Sequence, residues 1–403
     1  MNNGIGTLVV STGIGKCKIA IDFILENDDV SNILITSPRE NLKVNWQNEL
    51  IKWGLIELSK ESNVYIANNG RLVTIHFENI QTCYKWTNVI YDLIIADEIH
   101  LIATPEYSSI FRNNNNFKYK IGLTATPDIK GRQKEEKRTA YEELCPIIYT
   151  FLEGEAHGII NQTKIIVIDH FLTNNEKVEV KTKKGSFLFG ELERYSYICT
   201  QYDRGIQLMA QTGSQSFFED GANWFWNGNS RNPQQFLAAR SFMTAISSRR
   251  NFLLNLNSTS AIAKSLARQL LSEQPDRKIL VFSELTAQAN KICKFTYHSK
   301  NKADVNKANL EALNKGEIHA LGSCYSLTLG LNMTSVNTAI YESYQSSETA
   351  SKQRTGRLHR LPVDEVATIY VIRVKNTQSE KWFDKIVNKS SISEVIDSKI
   401  YLK

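Results

Sequence analysis

Short, wholly apolar runs recur along the first third of the chain, each followed by a stretch with helical spacing. Thr7-Leu8-Val9-Val10 is the first, and the segment after it, Lys16 to Leu25, carries Ile19, Ala20, Ile21, Phe23, Ile24 and Leu25. That segment is apolar on nearly every side, as a buried helix is. Further runs follow at Ile33-Leu34-Ile35, Val73-Thr74-Ile75, Leu93-Ile94-Ile95-Ala96 and Lys120-Ile121-Gly122-Leu123. A strand exposed on one face alternates polar and apolar residues. These do not alternate, so the pattern predicts parallel strands covered by helices on both faces.

The rhythm fades over residues 136–240. Lys164-Ile165-Ile166-Val167-Ile168 reads as a strand there. Val178–Thr182, Lys183-Lys184-Gly185-Ser186 and Phe187–Phe189 read as strand, polar turn and strand. Trp224-Phe225-Trp226 forms an aromatic cluster whose simplest role is packing. Beyond Arg240 the rhythm returns, with one long helix expected from Phe242 to Leu271. Strands are expected at Ile279–Phe282, His319–Leu321, Thr338–Tyr341 and Ala367–Ile372. The pattern therefore predicts an α/β protein with two parallel-sheet domains, 1–135 and 241–403, in tandem around an irregular accessory insertion at 136–240.

Composition narrows the function classes. The chain has 403 residues, 42% of them hydrophobic and 22% charged, which excludes a wholly disordered or fibrous protein. A formal charge of +6 permits a polyanionic partner without requiring one. The six cysteines include no C-x-x-C pair, so neither a zinc site nor a disulfide framework is expected. Cys83, Cys145, Cys199, Cys293 and Cys324 read as small buried hydrophobes. No apolar run is long enough to span a bilayer, and the start lacks a signal-peptide pattern. The expectation is a cytoplasmic protein with no membrane partner.

Four motifs carry chemistry. Ser11-Thr12-Gly13-Ile14-Gly15-Lys16-Cys17 follows a strand and opens a helix. Glycines there let backbone N–H groups curl around phosphate oxygens, and Lys16 can reach the outer phosphates. Asp97-Glu98-Ile99-His100 ends the run Tyr91–Ala96, where one acid can hold the water shell of Mg²⁺ and the next can polarise an attacking water. Leu123-Thr124-Ala125-Thr126-Pro127 ends another apolar run. Gln353–Arg360 sets Arg354, Arg357 and Arg360 three apart on one helix face, and guanidinium forks suit phosphate. Each motif alone also has an ordinary structural reading, as a tight turn, a solvated acidic loop or a basic helix face.

In this order the four resemble the DExH-box helicases and translocases of superfamily 2, whose two RecA-like domains sandwich ATP. Residues 11–17 resemble motif I, 97–100 motif II, 123–127 motif III and 353–360 motif VI. Ile35–Arg39 with Trp46, Glu49 and Trp53 is similar to motif Ia, Lys278–Glu284 to motif IV, and Gly330-Leu331-Asn332 to motif V. Within the superfamily, Gly122–Pro127 resembles restriction-enzyme helicase subunits and phage DNA helicases. Gly330–Thr334 and Arg357–Arg360 lean toward Swi2/Snf2-type translocases.

The resemblance implies ATP and Mg²⁺ as cofactors, held by Thr12, Gly13, Ile14, Gly15, Lys16, Cys17 and Asp97, with Asp97 toward the metal. It implies Glu98, Gln353, Arg357 and Arg360 in catalysis, and Ser37, Pro38, Arg39, Thr124 and Thr126 against nucleic acid, DNA in preference to RNA. His100 is a candidate for coupling the ATP and nucleic-acid sites. Lys181, Lys183 and Lys184 beside Phe187 and Phe189 make a candidate strand-engaging tip. Two features depart from the family. Cys17 stands where a hydroxyl residue ligates Mg²⁺. Only six residues precede the first strand, so the adenine-contacting segment of relatives is expected from a partner subunit. The Asn-, Lys- and Ile-rich composition suits a phage or mobile element.

Overall fold

The structure, a computed structural model, describes residues 5–9, 15–38, 40–59, 61–111, 116–124, 148–150, 161–182, 185–324, 336–346, 365–387 and 392–402. They fall into two compact units: the first holds Met1–Thr163 together with 327–336 and 348–367, and the second holds Lys164–Ser326, Asn337–Ser347 and Thr368–Lys403.

The first unit is an eight-stranded sheet. Its strands are β1 (Ile5–Val9), β2 (Asn32–Ser37), β3 (Ile56–Ser59), β4 (Val64–Ile66), β5 (Leu72–Asn79), β6 (Ile90–Asp97), β7 (Asn116–Thr124) and β8 (Ile148–Thr150), in the order β3-β4-β5-β2-β6-β7-β1-β8. From β5 to β8 all neighbours are parallel, while β3 and β4 form an antiparallel edge. The apolar runs split by alternation between two covers. Ile33, Ile35, Leu93 and Ile95 face α1 (Lys16–Glu26) and α2 (Glu40–Lys52), through Ala20, Ile21, Ile24, Trp46 and Leu50. Leu34, Ile94 and Ala96 face α3 (Ile80–Cys83) and α4 (Ile99–Ile102) on the other side. Ile21 and Ile24 are fully buried, and each contributes about 2 kcal/mol of hydrophobic burial. A parallel sheet gathers its strand C-termini at one edge, where α/β proteins bind ligands. Val9, Ser37, Asp97 and Thr124 end their strands there, with Val9 opposite Thr124 and Asp97 opposite Leu123.

The second unit opens with β9 (Thr163–His170), the hairpin β10 (Lys177–Thr182) and β11 (Gly185–Gly190), then helices α5 (Glu191–Gln211), α6 (Phe217–Phe225), α7 (Pro233–Leu254) and α8 (Asn257–Glu273). There follow β12 (Ile279–Phe282), α9 (Thr286–Ile292), β13 (Thr296–Tyr297), α10 (Ala303–Lys315), β14 (Ala320–Ser323), β15 (Thr338–Tyr341), β16 (Ala367–Val374), α11 (Gln378–Ile386) and β17 (Ile392–Asp397). The seven-stranded sheet has the order β13-β14-β12-β15-β16-β9-β17. Ile262, Leu266 and Leu270 of α8 pack on Ile166, Ile168, Ile279, Val281, Ile340 and Ile372. Two parallel-rich sheets, each layered with helices, are two RecA-like domains.

Three expectations change. The strand at 163–170 is a member of the second sheet, so the hairpin and the helices after it are an insertion within that unit, which starts at 164 rather than 241. The long helix expected over 242–271 is two helices. Leu256 is extended, and the buried Glu191 carboxylate accepts from the backbone N–H groups of Asn257 (2.8 Å) and Ser258 (3.1 Å), which caps the restart. In the hairpin, Gly185 and Ser186 pair with Thr182 and Lys181, so the connection is residues 183–184 alone. Trp224 and Phe225 pack with Met209 and Phe242 as expected, whereas Trp226 is exposed. Cys83, Cys293 and Cys324 are buried and Cys199 half-buried; Cys145 lies outside the described residues. Among the described residues no helix is long and apolar enough to cross a membrane.

Candidate active site

Gly15 caps α1 with φ 92° and ψ 43°, a left-handed conformation open to glycine and strained for residues with a β-carbon. Its carbonyl accepts the first helical hydrogen bond, from Ile19 N–H at 3.2 Å. The turn sends the next side chain, Lys16, back over the sheet edge, where Nζ lies 3.7 Å from Glu98 Oε1 with both side chains nearly covered.

Glu98 is itself left-handed (φ 52°, ψ 47°), directly after β6. A non-glycine residue in that conformation costs about 1 kcal/mol or more and is common where function fixes a side chain. The turn folds α4 back, so that the buried His100 faces the same carboxylate, with Nδ1 at 3.3 Å from Glu98 Oε2. The same nitrogen lies 2.9 Å from Thr124 Oγ1, at the end of β7. A single ring nitrogen is either donor or acceptor, so the better-placed hydroxyl takes it. Glu98 Oε2 is left buried with no hydrogen-bond partner among the described residues.

Asp97 is held on both oxygens. Oδ1 accepts from the Glu98 backbone N–H at 2.9 Å, and Oδ2 from the Trp46 indole at 3.0 Å. Burial first, then the adjacent Glu98 charge, raises the Asp97 carboxyl, against Lys16 and the two hydrogen bonds. The Cys17 thiol is pushed well up, by burial first and by Asp97 second, which keeps it protonated.

The donor set suits a magnesium nucleotide. Among the described residues no group of three or more His, Cys, Asp or Glu side chains could hold a metal unaided. Mg²⁺ in phosphoryl-transfer sites uses one or two carboxylates with substrate phosphates and water, and Asp97 supplies one. The one soft candidate ligand, Cys17, is a thiol and not a thiolate.

Of the residues expected from sequence, Gly15, Lys16, Cys17, Asp97, Glu98 and Thr124 cluster on this edge. Thr124 is fully buried and reaches His100. Ser37 is buried at the end of β2, and the Pro38 carbonyl accepts from Gln81 Nε2 at 3.2 Å. Thr12, Gly13, Ile14, Arg39, Thr126, Gln353, Arg357 and Arg360 lie outside the described residues. Trp46 was legible as part of a motif, but its bond to Asp97 was not.

Residues 2–129 match the family described as type III restriction enzyme, res subunit, and residues 262–362 match the helicase conserved C-terminal domain. No curated protein matches the sequence. The fold is similar to that of the Hef helicase domain of Pyrococcus furiosus, at 16% identity and a TM-score of 0.58 over 94% of each chain.

Proposed function

The chain belongs to the helicases of superfamily 2, and from that premise we propose that it is an ATP-driven translocase or helicase acting on nucleic acid, DNA in preference to RNA. The observation that carries the reading is the Lys16–Glu98 pair at 3.7 Å beside Asp97: a phosphate-seeking ammonium, a base and a metal-holding carboxylate on one strand edge. With ATP bound, Lys16 would leave Glu98 and hold the outer phosphates. Glu98 then orients the attacking water and takes its proton at Oε2, the acceptor without a hydrogen bond among the described residues. Asp97 would hold the metal through the oxygen directions that its two hydrogen bonds leave free. Bound Mg²⁺ supplies charge neutralisation at the phosphates. Gln353, Arg357 and Arg360 complete hydrolysis on the motif argument alone. Ser37, Pro38, Arg39 and Thr126 contact the strand, and Thr124 acts through His100. The protein works in the cytoplasm of a bacterial or phage-infected cell.

The test is ATP hydrolysis by the purified chain, alone and with single-stranded and duplex DNA and RNA. Turnover stimulated by DNA and reduced at least ~10²-fold by Lys16→Ala is the expected result. Turnover indifferent to Lys16→Ala ends the reading. A second reading, a clamp that binds nucleotide and nucleic acid without turning over, is favoured by the protonated Cys17 thiol at the metal-ligand position. Nucleotide binding with no turnover under any condition selects it.

A further inference from the structure

We infer that Trp46 is a positioning residue of the nucleotide site: its indole N–H fixes the rotation of the Asp97 carboxylate, so that the remaining lone pairs point to a metal-bound nucleotide. The inference depends on the ATPase reading above and adds to it a residue from outside the phosphate loop and the acidic pair.

Trp46 lies on α2, and its ring is buried at 1% exposure within the core that joins α1, α2 and the sheet. Packing alone would be served by any large apolar ring. What distinguishes tryptophan is the polar atom, and Nε1 donates to Asp97 Oδ2 at 3.0 Å, across 51 positions of sequence. The indole is a donor only, and it is neutral. A Lys or Arg at the same place would also hold the carboxylate, but its positive charge would oppose a divalent cation at the same oxygens. An uncharged donor orients the group and leaves its negative charge available.

The carboxylate has about four lone-pair directions. Trp46 takes one on Oδ2 and the Glu98 backbone N–H takes one on Oδ1. Two donors on different oxygens remove rotation about the last side-chain bond and leave one direction free on each oxygen. Without the indole, Oδ1 alone is tethered and the group can turn. The surrounding ring packing is unaffected by that loss, so fold and metal response separate.

The experiment uses the full chain and a fluorescent nucleotide, mant-ADP, titrated with and without Mg²⁺. Trp46→Phe keeps a buried ring and removes the donor. Replacing Trp46 by benzothienylalanine keeps the bicyclic shape as well and guards against a folding defect. Both variants should bind mant-ADP in EDTA as the unmodified chain does. Each should need about tenfold more Mg²⁺ for half of the metal-dependent gain, the scale of one hydrogen bond to a charged acceptor. A Mg²⁺ midpoint unchanged in the benzothienylalanine protein overturns the role of Trp46. Equal weakening with and without Mg²⁺ also overturns it, since the residue would then serve the pocket's shape alone. An unmodified chain that binds no mant-ADP under either condition instead overturns the nucleotide reading itself.

Discussion

Glu98→Gln should slow hydrolysis and tighten nucleotide binding at once. Gln is nearly isosteric and inherits the same left-handed backbone, so the turn that sets Lys16 opposite His100 is kept. The lost base at Oε2 should lower kcat at least ~10²-fold, the usual scale for a water-activating group. Binding moves the other way, because Lys16 is held by Glu98 before any phosphate arrives. At 3.7 Å two unit charges attract by ~4 kcal/mol in an effective dielectric of ~20. Most of that offsets desolvation of the two covered side chains, which leaves a net attraction of roughly 1 kcal/mol. Freed of it, Lys16 should bind phosphate with an affinity about fivefold higher. Glu98 also helps to raise the Asp97 carboxyl, so its removal leaves Asp97 more readily charged for the metal. Single-turnover hydrolysis and mant-ATP titration measure the two effects separately. A variant that binds ATP more weakly, or hydrolyses within tenfold of the unmodified chain, refutes the assignment of Glu98 as base and as competitor for Lys16.

Other substitutions test other parts of the argument. Cys17→Thr should lower the Mg²⁺ concentration for half-maximal turnover, since a hydroxyl is the harder ligand; superimposable Mg²⁺ curves would show that position 17 never contributes to metal binding. Gly205→Ala should destabilise the second unit by about 1–3 kcal/mol in urea denaturation, because the new β-carbon would meet the Phe242 backbone Cα at 2.8 Å; an unchanged midpoint would mean that α5 and α7 separate freely. His170 is buried, bonded through Nδ1 to Ser398, and its pKa is lowered from 6.5 to about 4 by burial. Its folded value lies below its unfolded one, so the stability it contributes is full above pH ~6.5 and is lost as pH falls toward 4, by about 3 kcal/mol in all. Denaturation midpoints between pH 7 and 4 should show that loss in the unmodified chain, and His170→Gln should flatten it.

What could be read from sequence, and what could not, divides by the range of the interactions responsible. Ile33-Leu34-Ile35 and Leu93–Ala96 announce themselves as strands buried on both faces, because an uninterrupted apolar run is a local signal. The phosphate-loop glycine and the acids at the end of β6 are local too, and chain order alone brought Lys16 and Glu98 under suspicion together. The break between α7 and α8 was invisible because its cap is Glu191, more than sixty residues earlier. The membership of β9 in the second sheet was hidden for the same reason: its sheet neighbours β16 and β17 come two hundred residues later.

The candidate site follows the same division. On the proposed reading the motif residues supply the reacting groups, and each sits in a short segment with its own signature. The groups that orient them come from elsewhere in the first unit: Trp46 from α2 onto Asp97, and Thr124 from β7 onto His100. An orienting side chain needs only the right donor at the right distance, and several residue types satisfy that, so its sequence signature is weak. Chemistry at this edge is thus written in contiguous segments, while its geometry is distributed over helix and strand ends that meet only when the parallel sheet brings its C-terminal ends to one side.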